Sequence, residues 1–209
     1  MTGLFITFEG PDGAGKTTQV QTFAKSLADM GYDVLVTREP GGTTISDKIR
    51  GLILDPSYTE MDDYTEALLY AASRAQHVRE KVLPALAQGK VVVCDRFVDA
   101  SIAYQGFGLG LPVHRIKEIN HFATGGLVPD RTYLLDIPVA IGRARLLDRA
   151  GVDRIEQKES GYHERVRDGF MEIASENPTR ICLIDANRSM EEVSAAILSD
   201  FSQWAASRK

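Results

Sequence analysis

Five short runs of apolar, largely β-branched residues punctuate the chain, at 4–8, 34–37, 91–94, 133–135 and 181–184. Between them lie longer stretches with helical period, predicted as helices over 16–30, 45–54, 65–88, 113–124 and 190–206. Pro84 is expected to disturb the last turn of the third of these, and Pro138 to open a further helix reaching about residue 149. Tyr162, Val166, Phe170 and Ile173 stripe one more. Alternating runs and helices are the pattern of parallel strands joined by crossovers, so the chain reads as an α/β fold. Runs this continuously apolar imply strands covered on both faces. Right-handed crossovers then bring the strands' C-terminal ends to one edge, where ligands of open α/β sheets bind. Glu9, Arg38, Asp95, Asp136 and Asp185 directly follow the five runs and are expected along that edge. The candidate mobile loops are 39–44, 106–112 and 150–157.

With 209 residues, 44% of them hydrophobic, and no internal break, a single domain spanning 1–209 is expected. No apolar run approaches the roughly 18 residues of a membrane span, and the first residues lack the basic flank of a signal peptide. Cys94 and Cys182 each sit in an apolar run, which favours buried reduced thiols and a cytoplasmic protein. The histidines His77, His114, His121 and His163 lack metal-ligand spacing and are expected on the surface or in packing roles. A net charge of −5 leaves no electrostatic footprint for nucleic acid or an acidic membrane, so an anionic ligand should be small.

Such a ligand has an evident seat. Gly10-Pro11-Asp12-Gly13-Ala14-Gly15-Lys16-Thr17 matches G-x-x-x-x-G-K-[ST] between the first strand and the first helix, and Thr18 follows it. Glycines let successive N–H groups and the helix N-terminus turn toward phosphate oxygens, Lys16 adds a charge, and Thr17 offers a Mg²⁺ ligand. A glycine-rich turn that binds nothing would not need the Lys-Thr pair. Asp95, at the end of the third run, stands where a second carboxylate near the metal belongs. The site is therefore read as one for Mg²⁺ with a nucleoside triphosphate. Kinases, GTPase switches and mechanical ATPases share the loop. The chain has no N-K-x-D guanine motif and no second ATPase half, but it carries Arg38, Arg74, Arg96, Arg143, Arg145, Arg149 and Arg154 at strand ends, along helices or in a possible lid. Guanidinium suits phosphate by its fork geometry.

Several further stretches resemble the thymidylate kinases across nearly the whole chain: residues 8–18, Thr37-Arg38-Glu39-Pro40-Gly41-Gly42-Thr43, Tyr70 to Arg74, Asp95-Arg96-Phe97, Ala103-Tyr104-Gln105-Gly106 and Asp153-Arg154-Ile155-Glu156-Gln157. The resemblance implies a three-layer P-loop nucleoside monophosphate kinase fold, with a five-stranded parallel sheet flanked by helices and a short lid at about 145–157. It implies a homodimer that uses ATP and dTMP, binds neither nucleic acid nor membrane, and makes dTDP for dTTP synthesis. Carried over by residue, it puts Arg38 and Arg96 near the acceptor phosphate, Glu39 and Pro40 in the dTMP site, and Asp12 and Glu156 near the sugar hydroxyl and metal. Tyr70 would stack on thymine and Arg74, one turn later, would bond its edge. Ser101 and Gln105 would add base contacts, and Tyr104 would crowd the sugar 2′ position. Tyr70 and Phe97 depart from the family's commoner residues at their positions. For Tyr70 the alternative is a core aromatic.

No general base is required, because a phosphate monoester with a second pKa near 6 is already ionised at neutral pH. Catalysis would rest on alignment and on charge neutralisation by Mg²⁺, Lys16 and arginines, Arg96 among them, and Asp12 is also expected among the catalytic residues. Some thymidylate kinases place an arginine inside the phosphate loop, where this chain has Gly13, so the lid is expected to supply it, first through Arg154 and then Arg149. A kinase for another nucleotide or for a nucleoside, or a non-catalytic nucleotide switch, is the alternative.

Overall fold

In a computed structural model of the chain, residues 3–147 and 153–208 are described. Five strands, β1 (Leu4–Glu9), β2 (Val34–Arg38), β3 (Val91–Asp95), β4 (Arg131–Asp136) and β5 (Ile181–Asp185), pair in parallel in the order β2-β3-β1-β4-β5. The register sets Ile6 beside Val93, Phe8 beside Tyr133, Val36 beside Val93 and Leu134 beside Leu183. Each apolar run became one strand, extended to its flanking polar residue.

Alternation along the central strands feeds two cores. Ile6, Phe8, Val91, Val93, Tyr133 and Leu135 face α1 (Lys16–Asp29) and α9 (Met190–Ser207), meeting Phe23, Leu27, Ile197 and Phe201. Phe5, Val92, Cys94 and Leu134 face the other way, toward Val78, Val82 and Phe97 or toward Tyr162, Val166 and Phe170. Coverage is complete only at the centre: at the edge strand β5, Leu183 is 48% exposed. Both cysteines are free thiols, Cys94 buried as expected and Cys182 only half-buried.

The remaining helices are α2 (Thr44–Leu54), α3 (Asp63–His77), α4 (Leu83–Ala87), α5 (Val98–Ser101), α6 (Val113–Thr124), α7 (Val139–Leu147) and α8 (Ser160–Glu176). Thr43 caps α2, Asp62 caps α3, and Ser189 with Glu192 forms a reciprocal capping box on α9. The single helix expected over 65–88 is instead α3, a π-helical turn at Val78–Val82, and α4. Pro84 has no N–H for the carbonyl four residues earlier and its ring crowds that carbonyl. The ladder widens ahead of it, and Leu83 N–H bonds Val78 O, five residues back. The segment after β3 also departs from expectation: α5 continues into a π-helical stretch, Ile102–Gly108, where a loop beginning at 106 was expected.

Candidate active site

The strand order reverses at β1, so the chain leaving β1 opens onto the crevice beyond the strand ends. Gly10 has φ 134, and a Cβ there would lie 2.2 Å from Leu135 O, so only glycine lets the loop turn against β4. Gly13 (φ 79) meets Gly142 O of α7 at the same 2.2 Å. No side chain, arginine included, can stand at position 13 while α7 sits there. The N-terminus of α1 at Gly15 has no side-chain cap, leaving its first N–H groups pointing into the crevice as an anion site. Lys16 is buried and donates to Pro11 O at 2.7 Å. Burial, with Arg96 adding repulsion, lowers its pKa to about 8, a cost that an incoming phosphate would offset. Thr17 Oγ1 donates to Asp95 Oδ2 at 2.6 Å, which brings the two expected metal ligands together.

Arg96 joins this loop to a second pocket. It is the one non-glycine residue with positive φ among the described residues (φ 68), held there by Arg96 N–H to Phe8 O (2.9 Å) and by Phe97 N–H to Glu9 Oε1 (2.7 Å). Its guanidinium donates to Gly10 O (3.0 Å), Asp12 Oδ1 (2.5 Å) and the Tyr104 hydroxyl (3.0 Å), and lies over the Tyr104 ring at 4.8 Å. Tyr104 in turn donates to Asp12 Oδ2 at 2.7 Å. Burial opposes ionisation of Asp12, but Arg96 and Lys16 outweigh it and hold the carboxyl below its ordinary value. At Glu9 the balance falls the other way, because burial outweighs Arg96 and the Phe97 N–H. Burial first, then Asp99, raises its pKa to about 8, and its Oε2 is buried without a partner.

A cleft of about 530 Å³ runs from the phosphate loop to this pocket. Of the residues singled out in the sequence, Asp12, Gly13, Gly15, Lys16, Thr17, Thr18, Arg38, Glu39, Pro40, Tyr70, Arg74, Asp95, Arg96, Ser101, Tyr104, Gln105 and Glu156 line it. Gly10, Pro11 and Ala14 form the buried underside of the loop. Tyr70 is half-buried; burial and then Glu66 raise its hydroxyl pKa. Gln105 donates to Glu66 Oε1 at 3.1 Å, and Glu156 Oε2 accepts Asp153 N–H at 3.0 Å. Asp136 and Asp185 do not line the cleft: Arg167 clamps the first and Arg188 holds the second.

The structure does not bring Arg154 to the cleft. Its Nε donates to Ile53 O (2.9 Å), its Nη2 to Glu66 Oε2 (2.7 Å), and its backbone N–H to Leu54 O (3.2 Å), so it ties residues 153–159 to α2 and α3. Arg149 lies outside the described residues. Arg145 does line the cleft, reaching Gly13 O and Ala186 O, both at 3.4 Å. Arg50 also lines it and escaped sequence reasoning. It donates to Pro40 O (3.1 Å) beside Arg38, which donates to the same oxygen (2.8 Å) and to Asp47 (3.0 Å). Burial and then Arg38 lower the pKa of Arg50.

A glycine loop and uncapped helix at the centre of a parallel sheet, with arginines gathered on the far side of one cleft, place the protein among the P-loop nucleotide-binding proteins. Comparison with known proteins narrows this. The family model for thymidylate kinase matches residues 8–197. A thymidylate kinase of Exiguobacterium sibiricum is 56% identical over 200 residues, covering 96% of this chain and 94% of that one. One of Geobacillus sp. (strain WCH70) is 47% identical over 201 residues, covering 95% and 96%. The crystal structure of thymidylate kinase from Ehrlichia chaffeensis superposes with a TM-score of 0.78 at 33% identity, covering 96% of this chain and 99% of that one. The chain belongs to the thymidylate kinase family.

Proposed function

We infer that the protein transfers the γ-phosphate of ATP to dTMP, giving dTDP and ADP. The observation that carries this reading is the Asp12–Arg96–Tyr104 cluster, in which a residue of the phosphate loop is bonded to the wall of the second pocket. Donor and acceptor sites built on shared residues hold two phosphates in line, and alignment is what phosphoryl transfer chiefly needs. Residues 10–18 take the ATP phosphates. Arg38, Arg50 and Arg96 take the acceptor phosphate, Tyr70 stacks on the base, Arg74, Ser101 and Gln105 read its edge, and Tyr104 closes the space at the sugar 2′ position. Glu39 and Pro40 shape the pocket wall, and Asp12 and Glu156 approach the sugar hydroxyl. The acceptor phosphate arrives ionised, so no side chain needs to remove a proton.

Thr17 and Asp95 suit a magnesium ion that enters with ATP, since this ion keeps water and phosphate oxygens and needs one or two protein ligands. The described residues contain no cluster of three or more His, Cys, Asp or Glu that could hold a metal independently. When bound, the ion neutralises charge on the transferring phosphates. With Arg154 engaged elsewhere, Arg145, and Arg149 by its place in the sequence, are the candidates for added charge at the γ-phosphate.

No described helix is long and apolar enough to cross a membrane, and a cytoplasmic location agrees with ATP as donor. Tyr64 and Leu68 on α3 and Phe122 on α6, all exposed, lie on helices that pack together and support a homodimer. Light scattering is expected to give twice the 23.0 kDa chain mass; a single-chain mass at micromolar protein would refute the dimer. The activity is tested by ADP release with dTMP, dUMP, UMP, AMP, GMP, CMP and thymidine as acceptors. Rapid turnover with dTMP, little with UMP and none with thymidine is expected. Background release with every acceptor would overturn the reading.

A further inference from the structure

Arg74 is 2% exposed yet borders the cleft, and its surroundings determine what it can offer a ligand. Guanidinium has five N–H donors. Nε–H goes to Glu39 Oε2 at 2.6 Å, the two Nη1 hydrogens to Ser101 Oγ at 2.9 Å and to Asn120 Oδ1, and one Nη2 hydrogen to Phe97 O at 3.0 Å. One Nη2 hydrogen is left. The Glu39 end is itself fixed, since Glu39 Oε1 accepts His77 Nδ1–H at 2.8 Å and His77 Nε2 meets Thr37 Oγ1 at 2.7 Å, all in the interior. The Asn120 end is fixed as firmly. Its Nδ2 donates to Ile116 O at 2.8 Å, so the amide cannot flip without turning N–H toward guanidinium and oxygen toward a carbonyl.

We propose that Asn120, a buried residue of α6 outside the cleft, is a specificity-positioning residue: by occupying an Nη1 hydrogen it pins the guanidinium so that Arg74, which has no acceptor to offer, presents a single fixed donor to the base edge. This rests on the acceptor reading above. A pocket so arranged accepts a pyrimidine with a carbonyl at that edge, as in thymine. It rejects one with an amino group, as in cytosine, because two donors then face each other in a desolvated site. Without Asn120, the loosened guanidinium can turn its donor away from the edge, and the choice blurs.

The test is steady-state kinetics of Asn120→Ala with dTMP and dCMP, alongside Asn120→Leu, which fills the volume without an acceptor should alanine fail to fold. Both are expected to raise KM for dTMP about tenfold, to change kcat less than threefold, to leave KM for ATP unchanged, and to lower the dTMP:dCMP ratio of kcat/KM at least tenfold. Asn120→Asp, which keeps an acceptor for Arg74 but sets a second oxygen against Ile116 O, is expected to be less stable yet to hold the ratio within about threefold of the parent. A ratio unchanged in the alanine or leucine variant, or lowered equally in the aspartate variant, overturns the proposal. A parent enzyme that does not use dTMP overturns the functional reading instead, which is a separate result.

Discussion

Arg96→Met is expected to lower kcat/KM for dTMP by about a thousandfold, a loss of about 4 kcal/mol in transition-state stabilisation. The side chain bridges Gly10 O, Asp12 and Tyr104, so its removal both withdraws a cation from the meeting point of two phosphates and releases the link between loop and acceptor pocket. Methionine fills a similar volume, so lost packing adds little to these two losses. Arg96→Lys separates the two contributions. An ammonium restores the charge but cannot reach three acceptors in a planar fork, and about a hundredfold loss is expected. Rapid-mix or coupled assays at saturating ATP provide the measurement; a loss under tenfold in the methionine variant would remove Arg96 from the catalytic centre.

Glu9→Gln is expected to make the protein more stable at alkaline pH, by on the order of 3 kcal/mol in urea denaturation at pH 8 to 9. The buried carboxyl has a folded pKa of about 8 against an ordinary 4.5, raised by burial and Asp99 against the pull of Arg96, the Phe97 N–H and Arg74. Between those values the folded state holds a proton that the unfolded state has released. Stability from this group is therefore complete below pH 4.5, declines as pH rises toward 8, and is level above it. Glutamine retains an acceptor for Phe97 N–H and has no such decline. Lys16 runs in the opposite sense above pH 8: its lowered pKa means the folded state sheds a proton before the unfolded state does, so stability recovers toward pH 10.5. Parent and variant curves that run parallel from pH 5 to 8 would sink the assignment to Glu9.

The local features were legible in the sequence because each is fixed by neighbours in the chain. A strand is an apolar run, and the phosphate loop is eight consecutive residues of which Gly10 and Gly13 lie against the backbone of β4 and α7. The segment 98–108 was not legible as a helix, since Ala100 to Gly106 is buried on every side and presents no amphipathic stripe. Arg154 was assigned by its charge and motif, but nothing local reveals that Glu66, 88 residues away, and the Ile53 carbonyl would hold it. Asn120 drew no notice for the same reason. Its partner Arg74 lies 46 residues back, and only the packing of α3 on α6 brings them together.

The backbone contact between Gly13 and Gly142 also constrains how such an enzyme can change over time. A side chain at position 13 and a helix pressed directly against it are mutually exclusive occupants of the same volume. An ancestor with this architecture could not acquire an arginine at position 13 in one step and keep its activity. The shift of α7 would have to come first, so the order of substitutions along any such lineage is set by steric exclusion between two residues that lack side chains.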